Sequence, residues 1–165
     1  MGSNGQYTRV SGLLVGLLCC GVLAGCGVSV PSDPDGALER VSGRTMRVGV
    51  TDNGEWVRLE QDQNPTGSEP DLVRGFAESL GTEPRWISGS EQELVKSLKD
   101  GDVDLVIGGI TDDTPWSTDA GMTRPYTEST DEQGKTEKHV MLVPLGENAF
   151  LLELDTFLLE QEPTS

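Results

Sequence analysis

Between Thr45 and Tyr126 the chain alternates strand-like and helix-like runs, and this alternation restricts the possible folds more than any other feature. Residues 46–50 are a β-rich run that ends at Gly49 and Thr51 and reads as a first strand. The next five residues, 51–55, are turn-forming, 56–59 read as a short edge strand or extended loop, and 60–67 form a polar hairpin tip. A helix follows, with Ser68 as its expected N-cap and Pro70 in the first turn. Leu72, Val73, Phe76, Ala77 and Leu80 recur at helical spacing on one face, and Gly81 ends the run. Residues 84–87 are the next strand. Ser90 with Glu93 then forms a capping box for a second helix, whose buried stripe is Leu94, Val95 and Leu98. Residues 103–107 are the third strand, closed by Gly108 and Gly109. Strands separated by helices of this length predict parallel pairing with crossover connections. The expected fold is therefore α/β, a three-layer sandwich with a mostly parallel sheet flanked by helices. Ligands on such sheets sit at the carboxyl ends of the strands, here residues 51–53 and 108–111.

The segment before this core reads as a targeting sequence and is excluded from the fold. Arg9 supplies a weakly basic start, and residues 13–23 are an apolar run too short to span a bilayer comfortably. The run ends Leu23-Ala24-Gly25-Cys26, which resembles a bacterial lipobox: an aliphatic residue, two small ones, then the cysteine that takes the lipid. Residues 1–25 are thus expected to be a lipoprotein signal peptide. Cys19 and Cys20 would leave with it, so acylated Cys26 would be the one cysteine of the mature chain, with no disulfide or cysteine-based metal site. Residues 26–43 then form a lipidated tether with a short helix, and the domain extends over 44–161.

Composition narrows the partners. The chain has 165 residues, with 28 Asp and Glu against 12 Lys and Arg and a net charge of -16. Nucleic acid is excluded as a partner, because one polyanion repels another. The length suits one domain, and the roughly 140 residues after the signal can bury about two thirds of their unfolded surface.

Several motifs occur in order: Gly67-x-Glu69-x-Asp71-Leu72, Gly101-Asp102-Val103-Asp104, Gly108-Gly109-Ile110-Thr111 and Thr123-Arg124-Pro125-Tyr126. Together they resemble family 3 of the bacterial extracellular solute-binding proteins, the polar amino-acid binding lipoproteins of ABC transporters, which have a type 2 periplasmic-binding-protein fold. The C-terminal run from His139 through Leu152 is similar to the end of a subset of that family. The resemblance implies reversible binding of a small polar solute of the amino-acid type, an ABC permease subunit as partner, a lipid anchor on the extracytoplasmic face of the cell membrane, and no cofactor. Two departures qualify it. Members have two lobes, whereas here only TESTDEQGKTEK separates Tyr126 from His139, so a short linker near 127–138 replaces the second lobe. Members often carry Thr-Pro-Glu-Arg after the third strand, where this chain has Thr114-Pro115-Trp116-Ser117 and lacks the arginine that grips a carboxylate bidentately.

The ligand-binding candidates are Asp52, Trp56, Glu69, Gly109, Thr111, Trp116 and Arg124. Asp52 suits a ligand amine or an Asx turn, and Trp56 and Trp116 suit stacking or packing. Glu69 faces the cleft or complements the helix dipole. Gly109 lets a ligand approach the backbone, Thr111 offers a hydroxyl, and Arg124 suits either a substitute for the missing arginine or a place outside the cleft on its Thr-Arg-Pro-Tyr strand. No metal site is expected: Asp100, Asp102 and Asp104 alternate as in a calcium loop, but Leu105 stands where that loop needs glycine. His139, the only histidine, has no recognisable nucleophile partner, so the chain reads as a non-enzyme. The C-terminal helix over 147–161 has a wide apolar stripe around Phe150, Leu154, Phe157 and Leu158, with Leu152 and Leu159 beside it. This leaves a second reading, a single-lobe interaction or sensory lipoprotein that docks a protein partner. For the anchor, Cys26→Ala is expected to abolish lipid labelling and release the protein from membranes or block its processing. Unchanged partitioning with no label on the wild type would refute the lipobox.

Overall fold

The computed structural model describes residues 32–60 and 64–161. The export segment 1–25, Cys26 with the tether as far as residue 31, and residues 61–63 of the expected hairpin tip lie outside the described residues. The elements in order are α1 (Ala37–Val41), β1 (Thr45–Val50), β2 (Arg58–Leu59), β3 (Pro65–Thr66), α2 (Ser68–Ser79), β4 (Glu83–Ser88), α3 (Glu91–Lys99) and β5 (Leu105–Ile107). A 3-10 turn (Pro115–Thr118), β6 (Gly121–Met122), β7 (Thr127–Thr130), β8 (Thr136–His139), β9 (Leu142–Val143) and α4 (Asn148–Gln161) follow. The main sheet has the order β4-β1-β5-β9-β6. β1 pairs in parallel with both β4 and β5, and β9 and β6 close the other side antiparallel.

Period-two alternation in β1 and β5 divides the core into two layers. Met46, Val48, Val50, Leu105 and Ile107 face a cluster that includes Val73, Phe76 and Ala77 of α2 and Phe150, Leu154 and Leu158 of α4. Val106 faces the opposite cluster, with Leu94, Val95 and Leu98 of α3. Gly49 turns toward that second layer. A Cβ there would lie 2.9 Å from Leu94 and 3.2 Å from Val106, so the missing side chain lets α3 close on the sheet. The sandwich is the expected α/β fold.

Local details differ from the sequence reading. Ser68 is the first helical residue, and the cap is Gly67, at φ 127 with no side-chain cap bond. A Cβ at Gly67 would sit 2.3 Å from the Trp56 carbonyl oxygen, so the chain cannot pass there with a side chain at the cap. The capping box at α3 is present in full, with Glu93 N–H donating to Ser90 and the Glu93 carboxylate accepting from the Ser90 N–H. The strand expected from residue 56 onward begins at Arg58 and pairs with β3 in a separate ribbon, away from the main sheet's edge. α4 begins at Asn148. Glu147, expected as its first residue, is 1% exposed, and its carboxylate accepts from the N–H groups of Asp35 and Ala37 and so caps α1.

The third strand begins two residues later than expected because Asp104 serves a different purpose. Its carboxylate is 1% exposed and accepts from the Arg47 N–H, from two nitrogens of the Arg47 guanidinium at 3.0 and 2.6 Å, and from Arg40. It pins α1 and β1 at the amino-terminal edge of the sheet. Burial by itself would raise this carboxyl, but the hydrogen bonds and charge of Arg47, with Arg40 behind them, hold it below the usual carboxylate range. A depressed folded-state pKa contributes stability above the unfolded value, and that stability is lost as pH falls through the folded one. The urea midpoints of wild type and Asp104→Asn should therefore differ most near neutrality and converge below about pH 4. A gap independent of pH would exclude this linkage. Phe76 is fully buried, with ring centroids 5.8 Å from Phe150 and 5.5 Å from Phe157. Phe76→Ala is expected to lower stability by about 3–5 kcal/mol, seen as a lower melting temperature.

Candidate functional site

β1 and β5 end side by side, with the Thr51 N–H donating to the Ile107 carbonyl at 3.1 Å. Two Asx turns fold the loop beyond β1: Asp52 Oδ1 accepts from the Gly54 N–H at 3.0 Å, and Asn53 Oδ1 accepts from the Glu55 and Trp56 N–H groups. Main-chain bonds from Asn53 and Gly54 to the Val57 carbonyl close the loop. Asn53 and Trp56 are thereby laid across Gly109. A Cβ at Gly109, whose φ is 69, would lie 2.3 Å from Asn53 Nδ2 and 2.6 Å from Trp56 Cδ1. The Trp56 ring stacks on His139, with centroids 4.1 Å apart and planes 35° apart. His139 pairs through its backbone with Thr111, whose hydroxyl donates to Asp113 at 2.6 Å. Lys135 first, and then Thr111, holds the Asp113 carboxyl below its ordinary value.

Glu69 lies beneath this surface. Its side chain is fully buried, Oε2 accepts from the Gly109 N–H at 3.0 Å, and Oε1 accepts from the Tyr126 hydroxyl. Its own N–H donates to the Trp56 carbonyl. Burial pushes the Glu69 carboxyl up, against the opposing pull of the hydrogen bonds from Tyr126 and the glycine amides. Burial, then the Glu69 charge, pushes the Tyr126 hydroxyl up as well. A small, mostly apolar cavity of about 220 Å³ adjoins this network, walled by Trp56, Leu72, Tyr126, Thr127 and Leu158.

Of the seven predicted ligand contacts, Asp52, Trp56, Gly109 and Thr111 stand around these strand ends. Asp52 is exposed on the rim, with its carboxylate engaged by Gly54. Glu69 cannot touch a ligand as placed, because water is excluded from it and its oxygens are already paired. Trp116 belongs to another face. Its indole N–H donates to Glu91, and its ring packs against the α3 layer beside a cavity of about 710 Å³ lined by Ser90, Val95 and Lys99. It therefore does not share a groove with Trp56 as expected. Arg124 is fastened to α4: its N–H donates to Asp155 at 2.9 Å, its Nε lies 3.8 Å from the same carboxylate, and its side chain extends into solvent. It is no substitute for a carboxylate-gripping arginine at the strand ends.

Asn53, Tyr126 and His139 were not among the predicted site residues. Tyr126 closes a motif already noted, whereas His139 is nearly thirty residues from the nearest predicted strand end and no spacing rule links them. Ser129 Oγ lies 2.8 Å from His139 Nε2, a serine–histidine pairing that sequence reading did not find. His139 Nδ1 has no partner among the described residues, so no third group orients the ring as a general base requires. Ser129 and His139 sit on β7 and β8, which form a hairpin in the register Thr127↔His139 to Thr130↔Thr136. Asp131 accepts from the N–H groups of Gln133 and Lys135, and Gly134, at φ 83, makes the bend. The whole stretch between Tyr126 and His139 is this hairpin.

The profile of the bacterial extracellular solute-binding proteins, family 3, matches residues 46–163. The chain belongs to that family. Among family 3 relatives and proteins that share its sequence, the "Probable histidine-binding protein" of Campylobacter jejuni is 31% identical over 84 residues, half of this chain and 32% of that protein. The "Membrane-bound lytic murein transglycosylase F" of Vibrio cholerae is 33% identical over 107 residues, 62% of this chain and 19% of that one. The chain thus spans a third or less of the curated relatives it matches. Solved structures agree on the fold. The arginine-bound form of domain 1 from TmArgBP superposes with a TM-score of 0.62 at 21% identity, over 70% of this chain and 92% of that one. The L-cystine solute receptor of Neisseria gonorrhoeae, in its unliganded open conformation, gives 0.61 at 12% identity, over 75% and 90%. Among the described residues no helix is long and apolar enough to cross a membrane. No group of three or more His, Cys, Asp or Glu side chains among them is placed to hold a metal ion.

Proposed function

We propose that this chain is the extracytoplasmic, lipid-anchored solute-binding component of an amino-acid-type ABC uptake system. It binds a small polar amino acid reversibly at the ends of β1 and β5, and no bond is made or broken. The observation that carries this reading is the convergence of Trp56, Gly109 and Thr111 at those strand ends in a family 3 lobe. An aromatic face, approachable backbone and a hydroxyl are what a polar solute of this size needs. The likeness to an isolated domain 1 solved in an arginine-bound form supports solute binding by one lobe. The lipobox-like run ending at Cys26 supports the anchor, and the permease partner is what family membership implies. The transglycosylase relatives offer an enzymatic alternative, and among the described residues the Ser129–His139 pair has no third group on His139 Nδ1 of the kind that acyl chemistry would draw on.

One observation favours the second reading, a partner-docking lipoprotein. Leu152 and Leu159 stand seven residues apart on α4, with 45% and 46% of their surfaces exposed. Titration separates the two readings. With one lobe the solute stays in contact with water, so affinity is expected near millimolar, about 4 kcal/mol of binding. Calorimetry or NMR titration of the purified protein against a panel of amino acids should show saturable binding that Trp56→Ala weakens. Absence of binding at every accessible concentration would favour the docking reading, and micromolar binding would show that enclosure by a second lobe is not needed.

A further inference from the structure

α4 runs from one pole of the domain to the other. Its first residue, Asn148, donates its N–H to the Ser32 carbonyl at 2.9 Å, and its side-chain amide lies 3.4 Å from the Ser32 hydroxyl. Its last turn, with Leu158 and Gln161, walls the cavity beside Trp56 and Tyr126. The 14 residues of this helix measure about 20 Å, so Ser32 is held about that far from the strand-end groove. The attachment point is fixed in place. The Asp33 carboxylate accepts from the N–H groups of Leu38 and Phe150, and α1 beyond it is capped by Glu147 and bound to Asp104 through Arg40. From Cys26 to Ser32 is six residue steps, a covalent reach of at most about 20 Å. With Cys26 acylated, the pole that carries Ser32 therefore stays beside the bilayer. Turning the groove onto the bilayer would instead raise Ser32 about 20 Å above it and use the whole reach of the tether.

Leu145 stands at this pole, on the turn that leads into α4. At 64% exposure it is the most exposed large apolar side chain among the described residues. The Glu147 N–H closes the turn on the Pro144 carbonyl, and Gly146, at φ 92, makes the bend. Leu145 shares a cleft of about 660 Å³ with Asp35, Arg40 and Lys99. Charges of both signs suit zwitterionic phospholipid, whereas attraction to anionic lipid needs a basic cluster. We propose that the pole at Ser32 and Leu145 is a membrane-contact surface: it rests on zwitterionic lipid with Leu145 in the headgroup region, and it holds the strand-end groove outward, about 20 Å from the bilayer. This rests on the anchor reading and goes beyond it. A permease that takes the solute must then meet the groove with a part that stands clear of the bilayer.

The test uses the full chain, processed and acylated, in phosphatidylcholine vesicles that carry a spin-labelled lipid as quencher. With residues 1–25 removed and Cys26 acylated, an introduced cysteine is the one free thiol and takes a fluorophore alone. Asp35→Cys reports on the tether pole. Gln133→Cys reports on the hairpin tip, near Lys135, which pairs with Asp113 beyond the end of β5. Both side chains are exposed, so neither change disturbs the core. The lipid is expected to quench the probe at 35 and not the probe at 133. Leu145→Glu, made in the Asp35→Cys chain, should lose most of that quenching while the protein stays with the vesicles through its acyl chains. Equal quenching at 35 and 133 would overturn the proposal and leave the anchor standing, as would quenching at 35 that Leu145→Glu leaves unchanged. A mass spectrum with no lipid on Cys26 would overturn the anchor and this proposal together.

Discussion

A carboxylate removed from water has to be met by donors, and Glu69 is met by donors from two distant parts of the chain. The Gly109 amide comes from the turn after β5, and the Tyr126 hydroxyl from the start of the hairpin. The backbone of the same residue secures the loop after β1 through Trp56. The parallel sheet sets the ends of β1 and β5 side by side, but it does not dictate how the loops beyond them fold. This buried group does, because each loop that leaves it unpaired incurs the cost of an unsatisfied donor or charge in the interior. At the opposite edge of the sheet Asp104 acts in the same way on α1 and β1 through Arg40 and Arg47. Two buried acids thus tie down the two ends of the β1–β5 pair.

The hairpin sets the character of the site. Its two strands, β7 and β8, turn back on each other through the five residues 131–135, closed by Asp131 and Gly134. The turn returns His139 to the strand ends, where it forms the base on which Trp56 stacks.

The sandwich was legible because its signals are periodic. Alternating apolar residues in residues 46–50, the helical stripe of Leu72 through Leu80 and the Ser90–Glu93 capping box are local patterns, and each formed the element it predicted. Errors fell where a long-range contact overrode a local preference. Ser68 has the better cap chemistry, but the Trp56 carbonyl leaves room only for glycine at the cap. Glu147 looks like helix, but it is drawn to α1, which lies more than a hundred residues away in sequence. The site was half legible for the same reason. Asp52, Gly109 and Thr111 lie at strand ends that the alternation locates. Trp116 and Arg124 lie close to them in sequence and yet belong to other surfaces, because Glu91 and Asp155 hold them there.

By itself the sequence determined the class of fold, the order of its elements, the family and the ends of the sheet where a solute would be met. These follow from periodicity, capping chemistry and motif order, which act over a few residues at a time. Tertiary structure decided which side chains share those ends. It buried Glu69, brought His139 under Trp56, and turned the Gly109 amide inward, because each of these depends on a hydrogen bond or ring contact between residues 40 to 83 positions apart. Burial and partner choice are properties of the assembled chain, and no local pattern encodes them.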